Sequence, residues 1–102
     1  MPPYIITIHV VPKPGGRWEI KVTPDRQTAK WREEIKWTCR LPFVVYFGKY
    51  GPMSRQSFGH GNPQGSVRYN AALMGRRVFK YIVGVLYRNE IKIIDPDLEI
   101  VP

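Results

Sequence analysis

The 102-residue sequence contains few residues that could perform nucleophilic, acid–base or metal chemistry, and these residues are scattered along the chain. Cys39 is the only cysteine, and His9 and His60 are the only histidines. A nucleophilic cysteine requires a neighbouring base and a lowered pKa. Cys39 instead shares one face of a predicted strand with Ile35 and Trp37. We therefore expect Cys39 to behave as a small hydrophobic residue of the core.

Neither metal ligands nor catalytic groups occur at the spacings that such sites use. A closed zinc site takes ligands at short spacings, and the histidines and the cysteine are far apart. Glu33 and Glu34 are adjacent, which places them on opposite faces of a strand. Asp95 and Asp97 flank a proline, a pattern typical of turns. We expect no catalysis and no cofactor. The least favoured functional hypothesis is a metal site built from His9, Cys39, Met53 and His60.

The charge distribution is more informative than the reactive residues. The net charge is +8, and no carboxylate occurs between Glu34 and Glu90, an interval that contains nine lysines and arginines. A long basic interval favours an acidic protein surface or a polyanion as partner. The alternative is a solvated basic surface that binds nothing.

Within this interval, cations alternate with aromatic residues, as on surfaces that bind single-stranded nucleic acid. The candidate polyanion-binding residues are Arg55, Arg68, Arg76, Arg77 and Lys80. However, Tyr69, Phe79 and Tyr81 are predicted to face the core, and no RNP-type motif is present. A small basic nucleic-acid-binding domain is therefore the alternative to a protein-docking module.

The hydrophobic residues recur with a period of two, which predicts β-strands. Residues 17–23 and 34–39 alternate between apolar and polar positions, and residues 77–87 place aromatic residues and valines on one side. The segment 43–47, with the sequence FVVYF, is apolar on both faces and predicts a central strand. We expect one all-β domain over residues 1–102, a Greek-key β-sandwich of seven to eight strands.

Turn and helix signals complete this prediction. Only residues 23–35 have helical features, with Thr23 as N-cap and Pro24 at the first position, so we expect at most one short helix. Residues 66–73 are predicted to form a strand. Residues 48–65 contain five glycines and two prolines and predict the main loop. The sequence RNE at residues 88–90 predicts a tight hairpin turn.

The sequence also bears on location. No apolar run approaches the roughly 18–20 residues that a membrane helix requires. The first residues lack the basic segment and cleavage site of a signal peptide. We expect a cytoplasmic protein that does not bind membranes, with a mature exported domain as the alternative.

The order of these signals resembles the cupredoxin family. In that family, a strand ending in V-x-W precedes P-H-x-V, whose histidine binds copper. Here IKWTCRLPFVV supplies Ile35, Trp37 and Pro42, and Phe43 stands at the position of the histidine. The later family motif Y-x-Y-x-C supplies the copper thiolate, and here FKYIV places Val83 at the cysteine position.

The resemblance covers most of the chain and implies a cupredoxin-like sandwich without copper. A blue-copper site needs two histidines, a cysteine thiolate and a weak axial ligand. Phe43 and Val83 provide none of these, and residues 84–101 contain no histidine or methionine. Glu33 also replaces the glycine usual before V-x-W. The expected function is a non-catalytic, copper-free binding module that docks an acidic protein or self-associates as a homo-oligomer.

Overall fold

Eleven short β-strands, one α-helical turn and one 3-10 turn form the computed structural model, which describes residues 2–102. The strands are β1 (Tyr4–Pro12), β2 (Trp18–Thr23), β3 (Arg26–Ala29), β4 (Glu34–Cys39), β5 (Phe43–Tyr46), β6 (Ser57–Phe58), β7 (Gln64–Ser66), β8 (Arg77–Lys80), β9 (Ile82–Tyr87), β10 (Glu90–Ile94) and β11 (Asp97–Ile100). Helix α1 is Ala71–Met74, and the 3-10 turn is Pro14–Gly16. The all-β prediction is confirmed, although the strands are more numerous and shorter than the seven to eight expected.

The strands form three sheets around one hydrophobic core. The first sheet has the order β2-β1-β4-β7, the second β10-β9-β5-β6, and the third β3-β11-β8. Most neighbours are antiparallel, but β1 runs parallel to β4 and β3 runs parallel to β11. We call the first two the A sheet and the C sheet. The third, which we call the B sheet, adds Ala29, Leu98 and Ile100 to the same core.

An aromatic layer joins the A sheet to the C sheet. Trp37 of β4 lies 4.7 Å from Phe58 and 5.8 Å from Phe47, measured between ring centroids. Trp37 Nε1 donates a 3.3 Å hydrogen bond to the Tyr81 hydroxyl, and Phe47 stacks on Tyr81 at 4.7 Å. Burial raises the pKa of the Tyr81 phenol to about 12. The neutral phenol is therefore the form that this layer accommodates.

Hydrogen bonds between β2 and β10 connect the A sheet to the C sheet at one side of the sandwich. Trp18 Nε1 on β2 donates a 2.9 Å hydrogen bond to Glu90 Oε1 on β10. Lys92, also on β10, donates through Nζ to the Trp18 carbonyl, and its ammonium lies 4.9 Å from the Trp18 ring. These contacts link an edge strand of the A sheet to an edge strand of the C sheet.

The helix prediction for residues 23–35 is wrong. Residues 26–29 form β3, which pairs in parallel with β11 in a register that joins Arg26 to Asp97 and Ala29 to Ile100. Burial of Ala29 in the core accompanies this pairing. The pairing involves a strand distant in sequence, so it outweighs a local capping signal that is worth about 1 kcal/mol.

The strand prediction for residues 66–73 is also wrong beyond Ser66. Helix α1 begins after Asn70, whose Oδ1 accepts a 3.1 Å hydrogen bond from the Ala72 amide. Asparagine is among the best N-cap residues, and alanine, leucine and methionine favour helices. The signal for this helix was therefore present in the sequence, but the helix is too short to show a helical period.

Residues 77–87 form two strands rather than one. β8 belongs to the B sheet, β9 belongs to the C sheet, and Tyr81 lies between them. The predicted inward face is nevertheless correct for Phe79, Tyr81, Val83 and Val85, all of which are buried. The predicted turn at residues 88–90 is confirmed, with positive φ at its first two residues.

The described residues contain no helix that is long and apolar enough to cross a membrane.

Candidate protein-binding face

The outer side of the C sheet carries a continuous apolar surface. β5, β9 and β10 lie side by side in this sheet, and every side chain that they direct outward is uncharged. We call this surface the apolar face, and it consists of Val44, Tyr46, Ile82, Gly84, Leu86, Ile91 and Ile93. Its six side chains are 42–69% exposed.

The strand register places these residues in cross-strand rows. Tyr46 is opposite Ile82 on the neighbouring strand. Gly84 lies between Val44 on β5 and Ile93 on β10. Leu86 is opposite Ile91. The rows are adjacent, so the seven residues form one patch rather than scattered contacts.

Gly84 lies in the middle of the apolar face and is itself buried, because the side chains of Val44 and Ile93 close over it. A side chain there would direct its Cβ between Val44 and Ile93, 3.3 Å from Val44 Cγ1 and 3.9 Å from Ile93 Cγ1. Both neighbours therefore occupy the space above Gly84 on the outer side of the sheet. A glycine within a strand interior often marks a close approach by another group.

The sequence of these strands explains why both faces of the C sheet are apolar. The inward positions are taken by Val45, Val83 and Val85, all completely buried. The residues between them are also apolar instead of polar, a pattern typical of strands covered on both sides. In residues 2–102, only the inner side of this sheet has a covering layer, which is the A sheet.

The apolar face is large for a single small domain. Six half-exposed side chains present on the order of 500 Å², near the upper end of what isolated monomers expose, and patches of this size are often functional. The described chain has a total accessible surface of 6520 Å². A standard protein interface covers about a tenth of the surface of a small protein, so the apolar face approaches that size.

Two of the predicted polyanion-binding residues, Arg76 and Lys80, pair with carboxylates of the same chain. Arg76 lies 3.7 Å from Glu99 Oε2, and Arg26 lies 3.6 Å from Glu99 Oε1. Lys80 Nζ lies 3.0 Å from Asp97 Oδ1. The acidic residues of β11 thus pair with two members of the predicted set, on the outer side of the B sheet.

The ion pair between Lys80 and Asp97 is exposed to solvent and changes the pKa of the Lys80 ammonium. The hydrogen bond to Asp97 and the charge of Asp97 raise the pKa of the Lys80 ammonium, and the charge of Asp95 adds to the same direction. Exposed pairs of this kind contribute little to stability. The main consequence of the pair is that the carboxylate of Asp97 offsets the positive charge that Lys80 would present to a ligand.

The remaining members of the predicted set, Arg55, Arg68 and Arg77, make no ion pair among residues 2–102. The guanidinium of Arg77 is 4.7 Å from the centroid of the Phe79 ring. Arg55 donates to the Gln64 carbonyl and lies 5.5 Å from the centroid of the Phe58 ring. Arg68 is exposed, and its backbone amide donates to the Pro52 carbonyl. The guanidinium groups of Arg55 and Arg77 thus contact aromatic rings of their own chain.

Cys39 is less enclosed than predicted. Ile35 and Trp37 are completely buried, as expected from the strand alternation. Cys39, at the end of β4, is only partly buried and packs on the edge of the core. The end of a strand is less well covered than its middle, which the alternation pattern does not reveal.

Sequence reasoning missed the apolar face because it followed one side of each strand. The period of two identifies the inward residues of β9, but it assigns no role to the intervening Ile82 and Leu86. Ile91 and Ile93 were available as well, since both are apolar and two residues apart on β10. The signal was a strand with apolar residues at both its odd-numbered and its even-numbered positions, which lie on opposite faces of the sheet.

Phe43 and Val83, which the cupredoxin resemblance assigns to copper-ligand positions, lie on the inner side of the C sheet. Val83 is completely buried, and Phe43 is partly buried with the His60 ring 4.9 Å away in an edge-on arrangement. Among residues 2–102, no group of three histidine, cysteine, aspartate or glutamate side chains is arranged to hold a metal ion. No protein-family model and no curated protein sequence matches the chain.

Proposed function

We propose that this protein is a non-catalytic binding module that self-associates, with the apolar face of one copy packed against the apolar face of a second copy. The observation that carries the proposal is the complete absence of charged side chains at the outward positions of β5, β9 and β10. In a chain with a net charge of +8, an uncharged face of this extent is the surface best suited to lose its water.

The chemistry of the apolar face favours a second copy over a charged partner. Two-fold dimers use the same patch on both subunits, so the patch must be complementary to itself. An apolar patch meets this condition because it contains no like charges that would face each other. Two copies would bury on the order of 1,000 Å² together, the lower limit for a specific interface.

The exposed side chains of the apolar face supply the contact. Val44 and Ile93 close over Gly84, and Leu86 and Ile91 lie in the adjacent row. These side chains of one copy can pack against the same side chains of the other. Close packing of this kind adds to the gain from removing apolar surface from water.

Sedimentation velocity over a range of protein concentrations tests the proposal. We expect a reversible monomer–dimer equilibrium in the micromolar range, which corresponds to about 8 kcal/mol of association free energy. The double variant Ile91→Asp/Ile93→Asp should remain monomeric at every concentration. A wild-type protein that stays monomeric at the highest concentrations would refute the proposal.

The proposed function includes no cofactor, because the residues at the two positions assigned to copper ligands cannot bind copper. Phe43 and Val83 have no atoms that ligate copper, and the cupredoxin-like relationship itself stays a prediction. Dialysis against Cu(II) followed by metal analysis tests this part. We expect no intense blue band and no copper retained in stoichiometric amount.

Nucleic-acid binding is the second candidate, and one observation favours it. Arg55, Arg68 and Arg77 make no ion pairs among residues 2–102, so their full charge is available. The pairing of Arg76 and Lys80 with carboxylates weakens the case. Titration of a labelled oligonucleotide at low and physiological salt tests it. Binding that survives physiological salt and is reduced by Arg76→Ala/Arg77→Ala would support it.

A further inference from the structure

The strand β1 has one edge that is only half covered. β2 pairs with one edge of β1 over residues 7–12. β4 pairs with the opposite edge over residues 4–8 only, because β4 ends at Cys39 and the chain leaves the sheet toward β5. Residues 9–12 therefore have no strand beside them on that edge in the described part of the chain. An uncovered edge is a template for pairing with another extended chain.

A groove of about 680 Å³ lies beside this uncovered edge. β1 forms one wall, the segment from Thr38 to Leu41 forms another, and Tyr87 of β9 completes the lining. The Leu41 carbonyl accepts a 2.7 Å hydrogen bond from His60 Nε2, which therefore carries a proton. This bond ties residue 41 to the segment between β6 and β7, so the second wall is held in place.

The groove has the charge and polarity of a site for an acidic segment. Its lining contains Arg40 and His9 but no aspartate or glutamate. Arg40 is exposed and makes no ion pair among residues 2–102. Val10, Leu41 and Tyr87 add apolar surface beside these polar groups.

We propose that this groove binds an extended acidic segment of another protein, which adds as a strand to the uncovered edge of β1. Main-chain hydrogen bonds to an exposed edge provide affinity in this mode, and pockets for alternate side chains provide specificity. The carboxylates of the segment meet Arg40 on one side of the added strand. Its intervening apolar residues contact Leu41 and Tyr87.

This site is separate from the apolar face. The groove lies at the end of β4 that carries Cys39, and the apolar face is the outer side of the C sheet. A monomeric variant such as Val44→Asp should bind the segment as well as the wild type does. Binding of the segment to the groove can therefore be measured whether or not the protein self-associates.

Fluorescence anisotropy with a short labelled peptide, in which glutamate alternates with valine, tests the proposal. We expect saturable binding that Arg40→Glu weakens by about tenfold or more, because the substitution reverses the charge facing the carboxylates. Arg68→Glu makes the same change in net charge. Arg68 lies near the opposite end of β4, where β7 pairs with Glu34, so this control should change the affinity less than about twofold.

Two modified peptides separate strand addition from general attraction to a basic protein. Lysine in place of glutamate removes the charge complementarity, and N-methylation at alternate residues removes main-chain donors. Both should abolish binding. Equal binding by the N-methylated peptide, or equal loss from Arg40→Glu and Arg68→Glu, would overturn the proposal.

The single cysteine provides a local readout. Cys39 lines the groove and is the only thiol in the chain. A saturating amount of the glutamate–valine peptide should slow alkylation of Cys39 by iodoacetamide in the wild type. The same peptide concentration should slow alkylation of Cys39 clearly less in Arg40→Glu, because weaker binding leaves fewer molecules occupied. An unaltered alkylation rate in the saturated wild type would place the peptide elsewhere and refute the site.

Discussion

The outer sides of the A sheet and the C sheet have opposite chemistry, although both sheets cover the same core. The outward residues of β2 and β4 include Glu19, Lys21, Glu34 and Lys36. Gln64 of β7 donates a 3.0 Å hydrogen bond to Glu34 Oε1 across this side. On the C sheet, the outward residues of β5, β9 and β10 include no charge and form the apolar face.

The difference shows that exposure alone does not identify a binding surface. Ile5 on β1 is 48% exposed and Val44 on β5 is 47% exposed. Ile5 is opposite Lys36, in a row that also contains Gln64. Val44 is beside Gly84, with Ile93 beyond it. A single apolar residue among polar neighbours is ordinary, whereas a contiguous set predicts an interface.

The largest expected effect comes from introducing one aspartate on the outer side of the C sheet and, for comparison, one on the outer side of the A sheet. Val44→Asp should weaken dimerisation by about a hundredfold or more, because a carboxylate would be buried without a partner. Ile5→Asp should leave the dimerisation constant unchanged, since its carboxylate would lie in water near Lys36. Sedimentation equilibrium measures both constants.

The matched pair also controls for damage to the fold. Aspartate is unfavourable in strands by up to about 1 kcal/mol at either position, so urea unfolding at concentrations too low for dimerisation should show similar losses for the two variants. If Ile5→Asp dissociates the dimer as strongly as Val44→Asp, the contact does not use the apolar face.

The layer between the two sheets should respond to alkaline pH. The folded state raises the pKa of Tyr81 from 10.0 to about 12 by burial. The stabilisation is therefore fully present below pH 10 and is lost as the pH rises through about 12. Near pH 12, the loss should be roughly 2 kcal/mol, and Tyr81→Phe should remove this dependence.

Ultraviolet absorbance of ionised tyrosine, together with urea unfolding between pH 9 and about 12, measures this effect. The same late-titrating phenol should be present in Val44→Asp and Ile5→Asp if the layer is intact. Loss of the late phase in only one of these variants would mean that its effect on dimerisation arises from a disturbed core.

Ionic strength should have a smaller effect on dimerisation. Each copy carries a net charge of +8, so the copies repel at long range. Raising the salt from about 0.05 to 0.5 M shortens the screening length severalfold, and the dimer should become a few times tighter. Sedimentation equilibrium at the two salt concentrations provides the test. Weaker association at high salt would instead indicate ion pairs between the copies.

The smallest effect is expected on the polar side of the A sheet. Glu34→Gln keeps the size of the side chain and removes the charge next to Gln64. We expect the free energy of unfolding to change by less than about 0.5 kcal/mol and the dimerisation constant not to change. Urea unfolding and sedimentation equilibrium provide the two values. A large change in either would show that this side is more than a solvated surface.

The sequence predicted those features of the fold that depend on local alternation. Buried positions such as Ile35, Trp37 and Val83 follow from a period of two, and the turn at residues 88–90 follows from its residue types. β3 was not predictable in this way, because its partner β11 is distant in the chain. The break at Tyr81 was also hidden, since the alternation continues through it.

The candidate sites also differ in how far the sequence alone predicts them. The apolar face could be predicted from strands that are apolar at both parities, although only its location in the C sheet shows that it is uncovered. The pairing of Lys80 with Asp97 and of Arg76 with Glu99 could not be predicted, because it depends on which strands become neighbours. Charge counted along the chain thus overstated the free positive surface.

The parallel pairing of β3 with β11 has a consequence for how the protein reaches its folded state. Most of the chain separates these two strands, so their contact requires closure of a very large loop before it gives any stabilisation. Proteins dominated by such distant pairings fold slowly, in milliseconds to seconds. Until this closure, the apolar strands of the C sheet can meet the same strands of another chain. Refolding yield should therefore fall as protein concentration rises, because aggregation through these strands competes with completion of the B sheet.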